Sequence, residues 1–141
     1  MKKIILIFIV ILALLSTLAC TDVSILAGIN QARLDNGTTQ LTEAQQLNDF
    51  AQYRAEKMLI PSHDNFKNDY IDFMQKPVTL IGEIIAYGNI KQSTEAYLNA
   101  WMNSPSHKKV IVYPCFNSFG IAEGIINGNY IIIVEFDLTQ Y

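Results

Sequence analysis

Ser118-Phe-Gly-Ile-Ala-Glu-Gly-Ile-Ile-Asn-Gly-Asn-Tyr-Ile-Ile-Ile-Val-Glu-Phe-Asp-Leu138 decides the fold. Its first half alternates, with Phe119, Ile121, Glu123 and Ile125 on one face and Gly120, Ala122 and Gly124 on the other. That period of two is what a strand requires. A face of such small residues lets a helix approach the sheet closely. Asn127-Gly128 is a two-residue hairpin signal, because both positions tolerate the positive φ that a tight strand reversal needs. Tyr130 to Leu138 therefore returns as a second strand. Ile131 to Val134 is apolar at every position, so this stretch is expected to be covered on both faces.

Upstream the period changes. Ile25, Ile29 and Ala32 fall at helical spacing, and Asn36-Gly37 stops that helix. Thr42-x-x-Gln45 reads as a capping box that opens a second helix. Leu47, Phe50, Ala51, Arg54, Ala55 and Met58 follow at steps of three and four, all apolar but Arg54, and Pro61 ends the run. Residues 61–80 are polar and read as a loop with room for a helical turn. Gly82 to Gly88 is a short apolar run with Glu83 inside it. A third helix fits Ser93 to Ser104, capped by Ser93, with Tyr97, Ala100 and Trp101 inward. After Pro105 and His107 the pattern turns to strand. Helices on either side of one antiparallel sheet make an α/β fold, an α-β-α sandwich.

The chain's start has another character. Lys2 and Lys3 precede an unbroken apolar run from Ile4 to Leu15. The run falls short of the roughly 20 residues that span a bilayer, so residues 1–19 read as a signal peptide. Leu18-Ala19-Cys20 resembles a bacterial lipoprotein signal, with Cys20 as the lipid-bearing first residue of the mature chain. Residues 20–24 are then a tether and residues 25–138 the domain. A plain secretory signal or an uncleaved anchor is the alternative, and each reading places the domain outside the cytoplasm. From Cys20 onward there are eight basic residues against thirteen acidic ones, a formal charge of −5. Such a balance argues against nucleic acid as a partner, since counterion release needs a basic face. Cys115, between Pro114 and Phe116, reads as a small buried apolar residue.

The mature chain carries two histidines, His63 in the polar loop and His107 past the third helix. Glu83 lies in apolar company, where a carboxylate is expensive to bury without a partner. Each alone could be a solvated surface residue. Together they sit at the edges of three elements that could converge.

The local motifs carry a resemblance. Ile29-Asn30-Gln31-Ala32-Arg33-x-x-Asn36-Gly37 opens it, followed by Leu41-Thr42, Leu47-x-x-x-Ala51-x-x-x-Ala55-x-x-Met58 and Ser62-His63. Gly82-Glu83-Ile84-Ile85-Ala86-Tyr87-Gly88, Trp101-Met102-Asn103-Ser104-Pro105-Ser106-His107 and Phe119-Gly120-Ile121-Ala122 complete it. The set resembles the CAP superfamily of cysteine-rich secretory proteins, antigen five and pathogenesis-related proteins, nearest its short bacterial branch. The resemblance implies an α-β-α sandwich with a central groove. It also implies a groove cluster of two histidines and two acidic residues that holds a divalent metal such as zinc in some members. His63, Glu83 and His107 match three of these. The asparagine that follows the family's glutamate is Ile84 here, and the second acid has no match, its place being near Ser104.

Three functions follow from that resemblance and from these residues. The groove could bind a lipid, sterol or protein partner. Two imidazoles and one carboxylate could hold zinc for a hydrolase or peptidase, with Glu83 as base or ligand. Or the three residues could form a structural cluster tying the polar loop to the third helix.

Overall fold

A computed structural model describes residues 24–138, so the expected signal peptide, the expected lipid-bearing Cys20 and most of the tether lie outside the described residues. The elements run α1 (Ile25–Asp35), β1 (Thr42–Glu43), α2 (Gln45–Lys57), α3 (Phe66–Met74), β2 (Ile81–Gly88), α4 (Thr94–Asn103), α5 (Pro105–Ile111), β3 (Ser118–Ile126) and β4 (Asn129–Asp137). The sheet order is β1-β3-β4-β2. The three long strands are antiparallel, and β1 adds two residues parallel to β3.

The hairpin forms as the sequence requires. Asn127 and Gly128 adopt φ of 51° and 78°, the sign that a two-residue turn between twisted strands needs at both positions. β4 is the central strand and is buried on both faces. Ile132, Val134 and Phe136 pack with Ile29, Trp101 and Ile111, from α1, α4 and α5. Ile131 and Ile133 pack with Ala51 and Ala55 of α2. These two cores on opposite faces make the sandwich. Gly120 explains how closely α2 approaches: a Cβ there would stand 2.2 Å from the Leu47 carbonyl carbon.

Several local expectations are corrected. Thr42 is not a helix cap: it pairs with Ser118 in β1, and α2 starts at Gln45 after Ala44, without a side-chain cap. The pull of β3 for one more hydrogen-bonded neighbour outweighs the capping box. That helix ends at Lys57, short of Pro61. Nine residues of the expected loop form α3, whose Tyr70 and Phe73 complete an aromatic cluster around Phe50. The segment after Pro105 is helical, not strand, because proline is pre-organised for a first helical turn. Ala100 faces out, and Ile125 is largely exposed rather than sharing its strand's covered face. Cys115, expected inside, is exposed.

Two buried arginines fasten the loops. Arg33, fully buried, donates to the carbonyls of Thr39, Ile111, Tyr113 and Phe116 at 2.7–3.0 Å. It thereby ties the end of α1 to the turn that enters β3. Arg54 does the same on the other side of the sheet, with carboxylates.

Candidate functional site

Arg54 stands on the inner face of α2, in line with the buried Leu47, Phe50, Ala51 and Ala55. It is 2% exposed, so its charge needs compensation on the spot. Its Nε donates to Glu83 Oε2 (2.9 Å) and Nη2 to Glu83 Oε1 (3.0 Å), a bidentate pair. Nη1 donates to Asp69 Oδ2 (2.6 Å) and to the Asp64 carbonyl (3.2 Å), and Nη2 also to the Ser62 carbonyl (2.9 Å). All five donors of the guanidinium are thus used. Burial alone would depress its pKa, but Glu83 and Asp69 outweigh burial and raise it. Asp69 also takes Lys57 Nζ at 2.5 Å. Burial pushes its carboxyl up, yet Lys57 and Arg54 prevail and hold it below the ordinary range.

The acids outnumber the cations here. Glu83 stands directly opposite Glu135 in the β2–β4 register, so the two carboxyls share one face of the sheet. Glu135 is 1% exposed, and neither of its oxygens meets a hydrogen-bond donor among the described residues. Its carboxyl is pushed well above the usual range by burial first and then by the charge of Glu83, with Arg54 offsetting only part. Of the two facing acids, Glu135 is therefore the one whose protonated form the surroundings favour. Two residues on, Asp137 accepts from Tyr70 OH of α3 at 2.7 Å.

Of the three residues singled out in the sequence, two meet. His63 Nδ1 lies 2.9 Å from Glu83 Oε1, with the imidazole side chain 57% exposed at the rim. His107 is bonded elsewhere: its Nδ1 lies 2.8 Å from Ser104 Oγ across one turn at the α4–α5 junction. Burial, and secondarily the charge of His63, lower its pKa and favour neutral imidazole. The two histidines therefore feel each other without sharing Glu83.

This arrangement does not fit a three-ligand metal seat. Both oxygens of Glu83 face a guanidinium cation that a metal ion would have to displace. Among the described residues no three His, Cys, Asp or Glu side chains gather closely enough to hold an ion.

His107 opens instead onto a groove of about 320 Å³ between β2 and α4. Ile85, Ala86 and Tyr87 form one wall and Ala96, Ala100 and Trp101 the other, with Ser104 and His107 at one end. Ala100 thus lines the groove rather than the core. Arg54, Asp69 and Glu135 escaped the sequence reading. Arg54 carried a signal, a lone charge at core spacing; Glu135 carried one too, an acid inside a strand apolar on both faces. Asp69 carried none, since its partner sits in α2.

Over residues 26–133 the chain matches CAP, the cysteine-rich secretory protein family. No curated protein matches it in sequence. Among solved structures it resembles an outer surface protein from Borrelia burgdorferi, at 22% identity and a TM-score of 0.68, over 82% of this chain and 90% of that one. It resembles an extracellular SCP-domain protein from Bacillus anthracis at 24% identity and a TM-score of 0.64, over 82% of this chain and 39% of that one. A cysteine-rich secretory protein from Staphylococcus aureus is similar at 16% identity and a TM-score of 0.63, over 82% and 38%. At these identities the likeness is one of fold.

Proposed function

The chain belongs to the cysteine-rich secretory protein family, CAP, and from that premise we propose that it is an extracytoplasmic binding module. It is held at the membrane through lipid on Cys20 and takes a ligand or partner into the groove between β2 and α4. The observation that carries this reading is the division of labour around β2. Glu83 and His63 are occupied with Arg54 and the Ser62–Asp64 loop, which makes them supports. His107, Ser104 and the apolar walls are what the groove offers to an incoming molecule. Apolar walls with a few convergent polar groups are the usual make-up of a binding cleft. The fold relatives include an outer surface protein and an extracellular protein, which supports the location.

The test is photo-crosslinking in the exporting cell. A photoreactive residue at Tyr87 or Ala100 captures a discrete species. The same residue at Lys67, on α3 in the opposite layer, does not. Equal capture at all three positions removes the groove from the proposal.

A further inference from the structure

The two edges of the sheet are treated differently. On the β3 side, β1 pairs with Ser118 and Phe119, and the Ile121 N–H donates to Asn48 Oδ1 of α2 at 2.9 Å. Beyond it Glu123 is engaged by Lys91 at 2.7 Å and by Tyr130. That edge is closed by pairing, by a side-chain acceptor and by charge, three of the ways in which proteins blunt exposed strands.

The β2 edge has none of these. The strand reads Ile81-Gly-Glu-Ile-Ile-Ala-Tyr-Gly88, without lysine or proline, and its one charge, Glu83, is turned inward onto Arg54. At Gly82 one face of the strand is tightly covered: a Cβ there would meet Phe116 and Val110 within 3.0 Å. Its second half is open, with Tyr87 45% exposed. Among the described residues, no backbone group of Ile85 to Gly88 is hydrogen-bonded to anything but β4. On an edge strand every second residue presents its N–H and C=O away from its partner, and Ile85 to Tyr87 also line the groove. The facing helix offers Ala96 and Ala100, side chains short enough to leave room for another backbone.

What fits a row of outward amides and carbonyls is another extended backbone. What fits walls without an aspartate, glutamate, lysine or arginine is an uncharged segment. We propose that the free edge of β2 from Ile85 to Gly88 takes an extended, uncharged peptide segment of a partner protein as an added strand. Main-chain bonds to β2 supply the affinity, and alternate side chains of the peptide rest against Ala96, Ala100 and Trp101. This deepens the binding-module reading and rests on the groove being its site.

Hydrogen exchange on the full chain in nanodiscs tests it, because the outward amides of Ile85 to Gly88 exchange freely until they are paired. The probe is an acetylated and amidated octapeptide of alternating valine and threonine. At millimolar peptide these amides are expected to exchange about tenfold more slowly, and the effect disappears when alternate peptide nitrogens are methylated. Ala100→Trp, which fills the groove from an exposed helix position, abolishes the protection while β4 amides stay as slow as before. Equal protection by the methylated peptide overturns strand pairing but leaves the groove standing. No protection by either peptide, with crosslinking at Ala100 still productive, overturns the peptide class alone. Protection of the same amides that grows with protein concentration in the absence of peptide assigns the edge to a second copy and overturns the proposal.

Discussion

Glu135→Gln is expected to make the protein more stable at neutral pH, and more so as pH rises. Glu135 is buried opposite Glu83, and burial with that neighbouring charge raises its folded-state pKa well above the unfolded value near 4.5. Below that unfolded value both states hold the proton, and the residue's contribution is fully present. Between the unfolded and folded values only the folded chain holds it, so stability falls as pH rises. One proton's difference gives a slope of about 1.4 kcal/mol per pH unit. In a domain of this size that corresponds to roughly 6 °C in Tm per pH unit. Glutamine keeps the shape and cannot ionise. Melting curves at pH 4.5, 5.5, 6.5 and 7.5 should nearly coincide for the two proteins at the acid end. They should then separate, the variant above the wild type. Every other titrating group is common to both and cancels in the difference. Parallel curves would refute the reasoning, since they would mean that Glu135 ionises as easily folded as unfolded. A variant less stable throughout would show that the carboxyl has a partner that glutamine cannot serve.

Arg54→Met removes the cation while leaving Glu83 and Asp69 buried, and should cost about 3–5 kcal/mol in urea unfolding; a loss below about 1 kcal/mol would show that the pairing is incidental. Gly120→Ala places a methyl against the Leu47 backbone and should lower stability by about 1–3 kcal/mol or more, read by the same unfolding curve. His107 should titrate by NMR below the usual histidine range, because burial and then the charge of His63 favour its neutral form. Its contribution to stability is present above the unfolded value of 6.5 and is lost as pH falls through the folded one. In His63→Ala its titration should move upward, and an unmoved titration would show that the two rings are too far apart to interact. A calorimetric zinc titration of the wild type should give a Kd no tighter than about 0.1 mM, since Arg54 occupies Glu83; micromolar binding would show that the guanidinium gives way.

The hairpin and the covering of β4 could be read from the sequence because they depend on neighbours in the chain. Asn127-Gly128 needs no distant residue to turn, and Ile131 to Val134 announces burial on both sides by its composition alone. Thr42 shows the opposite case. Its local signal, a capping box, is real, but β3 arrives from some 75 residues away and claims the same backbone for a parallel bridge. The site divides along the same line. His63 and Glu83 were recognisable as residues of interest, yet the partner that sets their role is Arg54. Its guanidinium and its partners come from four segments: α2, the Ser62–Asp64 loop, α3 and β2. Nothing in the one-dimensional pattern distinguishes a glutamate free to act as a base from one held by a bidentate arginine.

That distinction changes what β2 is for. An edge strand with a functional carboxylate would keep that carboxylate's lone pairs available to whatever enters the cleft. Here the lone pairs of Glu83 face Arg54 and His63, and burial behind it disfavours the charged form of Glu135. The acidic cluster is thereby neutralised from within, and it holds the Ser62–Asp64 loop against the sheet through Arg54. With the loop fixed and its charges satisfied, the outer half of β2 is left uncharged and open on one side. Those are the properties of a surface that recognises shape and backbone. The polar network and the groove are consequently two aspects of one strand, and loosening Arg54 should disorder the groove before it alters any chemistry.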